Sequence, residues 1–204
     1  MRTAVPRHLG VIPDGNRRWA QGRGLPKGGG YARGVAPGLR LYRRCRDAGI
    51  PELSVYGFTQ ENVRRPAEQV AAFRAACVET ALALHAEGAR VRAVGDAESP
   101  VFPTELRRFL APAASAAPTV NLLVNYGWRW DVDGLKDGAH RTSSVPPVEL
   151  VVRWGGGRRL SGFLPLQSAY ADFYVVDALW PDYEDGQLDA ALAWYARQDR
   201  TLGG

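Results

Sequence analysis

Cysteine and histidine are scarce, with two and three copies in 204 residues. Cys45 and Cys77 both fall in apolar helical patterns, and His8, His85 and His140 share no ligand spacing. A disulfide scaffold and a Cys/His metal centre are therefore excluded, and a reducing, cytoplasmic setting is the expectation. No run of 18 apolar residues occurs, so nothing in the sequence reads as a membrane span. The first six residues are too few and too polar for a signal peptide. Neither G-x-x-x-x-G-K-[ST] nor a G-x-G-x-x-G after a strand is present, which removes both common nucleotide fingerprints. Excess charge is also lacking: 26 Lys+Arg stand against 21 Asp+Glu, a formal +5. That balance does not call for nucleic acid, but it favours an anionic ligand.

What is present is ordinary globular composition, 46% hydrophobic and 23% charged, enough for one α/β domain over 1–204. Short apolar runs alternate with longer helical ones. Leu9–Ile12, Leu53–Phe58, Val91–Val94, Val120–Val124 and Glu149–Val152 read as buried strands. Val35–Ala48, a segment from Pro66 with an apolar stripe at Val70, Phe73, Cys77, Ala81 and Leu84, a short Thr104–Leu110 and Gln187–Gln198 read as helices. Strand–helix–strand alternation predicts a mainly parallel sheet covered by helices. Gly22–Gly34, with six glycines, reads as a mobile loop, and Gly138–Pro147 as a surface connection.

Ligands of open α/β sheets bind beyond the carboxyl ends of the strands. The residues there are Asp14, Thr59, Glu61, Asn62, Asp96, Asn125 and Arg153. Arginines follow closely at 17, 18, 64, 65, 158 and 159, and guanidinium forks match phosphate oxygens. In Asp14-Gly-Asn-Arg-Arg-Trp19 an acid beside two arginines suits Mg²⁺ on a phosphate ligand. Its plain alternative is an Asp-Gly turn with solvated charges. Gly155-Gly-Gly157 before Arg158-Arg159 is a second candidate phosphate cradle, or else a flexible turn. Trp128 and Trp130 flank Arg129, a placement open to stacking on a ligand, although core packing is the simpler use.

Taken in order, these blocks resemble the cis-prenyltransferase (undecaprenyl diphosphate synthase-like) family. His8-Leu-Gly-Val-Ile-Pro-Asp14-Gly-Asn-Arg-Arg-Trp-Ala20 is similar to its H-x-x-x-x-M-D-G-N-x-R-W-A. Tyr56-Gly-Phe-Thr-Gln-Glu-Asn62-Val-Arg-Arg-Pro66 is similar to Y-A-F-S-x-E-N-W-x-R-P. Gly95-Asp96, Asn125-Tyr-Gly-Trp-Arg129 (N-Y-G-G-R), Arg159-Leu-Ser161, Gln167-Ser-Ala-Tyr-Ala-Asp172 and Leu179-Trp-Pro-Asp182 complete the series.

The resemblance implies a single-domain, six-stranded parallel sheet covered by helices, a homodimer, Mg²⁺, and condensation of an allylic with a homoallylic diphosphate. It implies that Asp14 holds Mg²⁺, with Asp172 where the family has a metal-binding Glu. Gly15, Asn16, Arg17, Arg18 and Trp19 fall in the donor-diphosphate block, with Lys27 and Tyr31 in the Gly-rich segment. Thr59, Glu61 and Asn62 fall at the proton-removal motif, and Arg65, Arg153, Arg159 and Ser161 bind the second diphosphate. No nucleic acid and no transmembrane segment are implied.

The departures gather near the second substrate. Tyr31 replaces a His, and Val63 a Trp. The segment R-T-x-G-E reads Arg153-Trp-Gly-Gly-Gly157. The terminal R-x-G reads Thr201-Leu-Gly203, and 138–147 is short. Trp154 is therefore expected to overhang the acceptor and shape the product, with filling of the core behind the strand as its plain alternative. A family subgroup couples two dimethylallyl diphosphates head-to-middle, giving lavandulyl or cyclolavandulyl diphosphate, and the altered second site points there. A conventional short-chain synthase using isopentenyl diphosphate is the alternative, and a non-catalytic partner subunit a third.

Overall fold

The computed structural model describes residues 5–111 and 117–198. Six strands run parallel in one sheet: β1 (His8–Ile12), β2 (Glu52–Tyr56), β3 (Arg90–Val94), β4 (Thr119–Leu123), β5 (Leu150–Arg153) and β6 (Asp172–Val175), in the order β3-β4-β2-β1-β5-β6. Six α-helices accompany them: α1 (Asn16–Gln21), α2 (Gly29–Arg33), α3 (Val35–Ala48), α4 (Ala67–Ala86), α5 (Trp128–Asp133) and α6 (Asp185–Tyr195). Five strands match the apolar runs within one or two residues at each end. The sixth, Asp-Phe-Tyr-Val, is half-buried throughout at the sheet edge, which is why it lacks a strong apolar signature.

Side chains alternate faces along each strand. Leu9, Val11, Leu53, Leu150 and Val152 point into one core with Leu41 and Cys45 of α3 and Leu188, Ala191, Leu192 and Tyr195 of α6. Val91, Ala93, Val120 and Leu122 continue that layer against Cys77, Ala81 and Leu84 of α4. Ile12, Tyr56, Leu123 and Val151 face the other side, where Val145, Val148, Phe163 and Leu164 cover them. Both cysteines are buried, as the apolar stripes required.

Two expectations about loops need correction. Part of 22–34 is helical: α2 buries Gly30 and Tyr31, because the Tyr31 ring stacks on Phe73 of α4 at 4.4 Å and 3°. Residues 138–147 do not simply cross the surface either. Thr142 and Val145 are buried, and the fully buried Asp131 carboxylate accepts hydrogen bonds from the Thr142 amide at 2.8 Å, the Thr142 hydroxyl at 2.7 Å and the Tyr126 hydroxyl at 3.0 Å. Gln167 Nε2 closes the network by donating to the Thr142 carbonyl and hydroxyl at 3.0 and 2.8 Å. A buried carboxylate is tolerated only with such donors. Residues 104–109 form a 3₁₀ helix.

Candidate active site

The carboxyl ends of β1, β2 and β5 open on a cavity of about 640 Å³. Its lining includes Asp14, Gly15, Asn16, Arg17, Arg18, Tyr31, Thr59, Glu61, Asn62, Arg65, Arg153, Arg159 and Ser161. Residues as distant in sequence as Asp14 and Ser161 thus meet here because three strands end side by side. Five guanidiniums and two carboxylates face one space, so the cavity carries an excess positive charge suited to an anion.

Arg153 is its central group. The residue is 3% exposed. Its Nη2 donates to Asp14 Oδ2 at 2.7 Å and its Nη1 to Ser161 Oγ at 2.8 Å. Nη1 also donates to the Arg159 carbonyl. A cation so deeply placed needs those acceptors to offset its lost hydration. Arg18 lies 3.6 Å from the same Asp14 oxygen and donates to the Gly155 carbonyl at 2.8 Å. The Asp14 carboxylate remains 38% exposed, so it is paired and still open to a ligand. The Nε atoms of Arg17 and Arg153 are buried without a partner among the described residues.

The Gly155–Gly157 run is explained by these arginines. A Cβ at Gly155, where φ is +83°, would lie 2.6 Å from Arg18 Nη2, and one at Gly157 would lie 2.6 Å from Arg153 Nε. Both glycines give the guanidiniums room beside the backbone.

On the opposite wall, Thr59 caps a 3₁₀ turn over Gln60–Arg64, and its amide donates to Asn62 Oδ1 at 3.2 Å. That reciprocal cap fixes Asn62 and leaves Glu61 at the rim. Arg65 Nη1 donates to the Tyr31 hydroxyl at 2.6 Å, so the Tyr31–Phe73 stack forms a wall and also orients a guanidinium. Tyr56 donates from its hydroxyl to the Ser161 carbonyl at 2.9 Å. Burial, helped by the Glu61 charge, pushes its pKa well up and keeps it a neutral donor. Ser161 is held at φ +53°, a costly left-handed conformation for a non-glycine residue.

Four expected site residues lie elsewhere. Trp154 is fully buried in the α3/α6 core. Its Nε1 donates to Gln187 Oε1 at 2.8 Å, and its ring packs edge-on to Trp180 and Tyr183. The reason is strand alternation: the Trp154 amide continues the β1–β5 ladder by donating to Ile12 O, so successive side chains take opposite faces. Arg153 faces the cavity and Trp154 cannot.

Trp19 turns away on α1, where 100° per residue sets it opposite Arg17 and Gln21. Its Nε1 donates to Asp182 Oδ1 at 2.7 Å, with Arg23 over its ring. Lys27 does not line the cavity. Asp172 opens β6 opposite Leu150, while Val175 pairs with Arg153. It sits about 10 Å back along the strand from the cavity end, so one chain does not bring it to Asp14. Asn125 and Asp96 bond to each other, Nδ2 to carbonyl at 2.9 Å, rather than facing the cavity.

Ile12, Tyr56, Gly57 and Phe73 line the cavity without having been singled out as site residues, and so does Trp128, for which core packing was the simpler expectation. Tyr56 and Ile12 end their strands on the cavity-side face, a signal that strand parity carries. Phe73 belonged to a helical stripe that reads as core. Trp128 lies five residues past the end of β4, at the start of α5.

An α/β sheet with an arginine-lined, carboxylate-bearing cavity at its strand ends defines a protein that handles phosphorylated anions. The chain belongs to the undecaprenyl diphosphate synthase family of prenyltransferases: the family model matches residues 12–203. It is 34% identical to the (2E,6E)-farnesyl-diphosphate-specific ditrans,polycis-undecaprenyl-diphosphate synthase of Pectobacterium atrosepticum, covering 98% of this chain and 91% of that one. It is 36% identical to an isoprenyl transferase of Heliobacterium mobile over 98% and 88% of the two chains. Among solved structures, lavandulyl diphosphate synthase from Lavandula x intermedia, in complex with dimethylallyl diphosphate, superposes with a TM-score of 0.81 at 23% identity, over 98% of this chain and 99% of that one. The last likeness is one of fold. The protein is thus a prenyltransferase acting in isoprenoid chemistry. No helix among the described residues is long and apolar enough to cross a membrane.

Proposed function

We propose that this chain is a short-chain prenyl diphosphate synthase that couples two dimethylallyl diphosphates head-to-middle. The observation that carries the short-chain reading is the cavity itself: five arginines surround it, and the stacked Tyr31–Phe73 pair, backed by Val35 and Ala76, forms one of its walls. We read that wall as the limit on chain length, to a five-carbon unit such as the dimethylallyl diphosphate bound in the lavender enzyme's structure. Irregular coupling is supported by the departures on the acceptor side, Gly157 in place of an acid above all.

In this reading the donor's C–O bond breaks and its electron pair leaves with diphosphate. The double bond of the second molecule supplies the electrons of the new C–C bond, and the resulting cation loses a proton. Arg17 and Arg18 take the donor diphosphate, and Arg65, Arg153, Arg159 and Ser161 the acceptor's. Guanidiniums at the departing diphosphate stabilise the transition state more than the ground state, because charge grows there during ionisation. Tyr31, Tyr56 and Phe73 exclude water from the cation. Glu61, the second carboxylate on the cavity wall, stands with Thr59 and Asn62 for proton removal.

The residues fit Mg²⁺ in the mode it prefers, with one carboxylate plus substrate phosphates. Asp14 is half-open and no cluster of three His, Cys, Asp or Glu groups among the described residues competes for the ion. Bound Mg²⁺ supplies neutralisation of leaving-group charge. Asp172 joins that role only if a second copy presents it. A homodimer in the cytoplasm completes the reading.

The 34% identity to a farnesyl-diphosphate-specific undecaprenyl synthase favours a second reading, condensation with isopentenyl diphosphate. Incubation with dimethylallyl diphosphate and Mg²⁺, with and without isopentenyl diphosphate, followed by mass spectrometry, decides. A ten-carbon diphosphate from dimethylallyl diphosphate alone is expected. Product only when isopentenyl diphosphate is added overturns irregular coupling. No diphosphate release from any pairing would leave the non-catalytic subunit.

A further inference from the structure

Trp128 faces the cavity and has no part in the mechanism above. It opens α5 directly after the β4 exit and is the most exposed of the six tryptophans, at 40%. A single exposed indole means little by itself, but its neighbours are specific. A Cβ added at Gly162 would come within 2.9 Å of Trp128 Cδ1 and 3.6 Å of the Tyr56 hydroxyl. The indole edge therefore lies against the backbone beside Ser161, whose Oγ accepts from Arg153. Gly162 holds φ at +80°, so both its backbone conformation and the indole exclude a side chain there. Above the ring, the Arg129 guanidinium carbon is 5.2 Å from its centroid, which fixes the plane further.

We propose that Trp128 is the specificity-determining wall of the acceptor half of the cavity. The position expected for Trp154 is filled from a different strand exit. Arg153, Arg159 and Ser161 anchor an acceptor's diphosphate, and an apolar plane beside that anchor meets the first carbons of its chain. It limits the acceptor to a short branched unit and selects which alkene carbon comes within bonding reach of the donor cation, since a displacement of about 1 Å costs orders of magnitude in rate. This rests on the reading of those three residues as the acceptor's diphosphate site.

The test compares wild type with Trp128→Phe and Trp128→Ala. Product ratios are read by mass spectrometry with dimethylallyl diphosphate alone, with added isopentenyl diphosphate, and with geranyl diphosphate. Trp128→Ala is expected to shift the ratio of products at least fivefold and to raise the share of products that carry the longer geranyl chain, and Trp128→Phe to fall between. Unchanged product ratios in both variants, with and without geranyl diphosphate, overturn the proposal. Should Trp128→Ala fail to fold, Trp128→Phe alone decides on the same criteria.

A readout independent of turnover is tryptophan fluorescence titrated with dimethylallyl thiolodiphosphate. Quenching in wild type that falls by half or more in Trp128→Phe supports the wall, and equal fractional quenching in both removes it. If wild type couples no pair of substrates, the functional reading fails, while the fluorescence result still decides where Trp128 stands.

Discussion

Arg153 and Trp154 are neighbours in sequence and serve opposite layers of the molecule. The Arg153 guanidinium donates to Asp14 in the cavity at 2.7 Å, whereas the Trp154 indole donates to Gln187 of α6 at 2.8 Å in the core. The two-residue period of an extended chain divides them, and with it the consequences of changing each.

Trp154→Phe is expected to lower stability without redirecting chemistry. It removes a buried hydrogen bond and part of a packed aromatic cluster, a loss of about 1–3 kcal/mol. For a chain of this size that is a fall in melting temperature of about 3–10 °C. Product ratios measured below the transition should stay as in wild type. A changed ratio in a variant of native stability would return Trp154 to the acceptor site.

Asp14→Asn keeps an oxygen acceptor for Arg153 and removes the charge. Turnover is expected to fall at least about 10²-fold, with a small change in melting temperature. Asp14→Ala also strips Arg153 of that acceptor. Because Asp14 is partly exposed, that should cost only about 1–2 kcal/mol beyond the Asn variant. Activity of Asp14→Asn within tenfold of wild type would exclude Asp14 from the reaction.

Arg159→Ala removes an exposed guanidinium from the acceptor wall. A charge-assisted contact is worth about 1.5–3 kcal/mol, so turnover at low dimethylallyl diphosphate should fall about tenfold or more, and saturating substrate should restore most of it. Turnover at low substrate within twofold of wild type would exclude Arg159 from diphosphate binding.

Gly157→Ala places a methyl group 2.6 Å from Arg153 Nε and 2.8 Å from its Cζ. Arg153 is too buried to give way without disturbing its bond to Asp14, so turnover should drop at least about tenfold. Gly186→Ala is the control, with open space around its added Cβ in α6, and should gain about 0.5–1 kcal/mol. Equal activity in the two variants would show that Arg153 need not stay where it is.

His8 sets a pH dependence of stability. It is 2% exposed, its Nδ1 bonds the Pro146 carbonyl at 2.9 Å, and its Nε2 meets the Ser54 hydroxyl at 2.8 Å. Burial lowers its pKa below the usual value despite the Glu52 charge. The folded state then binds fewer protons than the unfolded one around pH 6. Stability is full above about pH 6.5 and falls as pH drops, by at most about 1.4 kcal/mol per unit. Urea midpoints measured from pH 7.5 to 5.5 should decline in wild type and less steeply in His8→Asn. Parallel slopes would show that His8 is not responsible.

The sequence by itself determined the order of elements. Runs such as Leu9–Ile12 and the α6 stripe at Leu188, Ala191, Leu192 and Tyr195 bury the same residues that their periodicity marks, because strand and helix repeats are local geometry. It also placed Asp14, Thr59, Asn62 and Arg153 at strand exits, and a parallel sheet gathers such exits on one edge. Only the tertiary structure decided which of two adjacent residues faces the cavity, since one step of register exchanges Arg153 with Trp154. Likewise only the packing of α2 on α4 turned a glycine-rich stretch into the Tyr31–Phe73 wall. Asp172 read as a metal ligand from its motif, and strand pairing set it at the far end of β6. The terminal Thr201-Leu-Gly203 lies outside the described residues. Contacts between residues distant in sequence depend on how layers stack, and no local pattern encodes that.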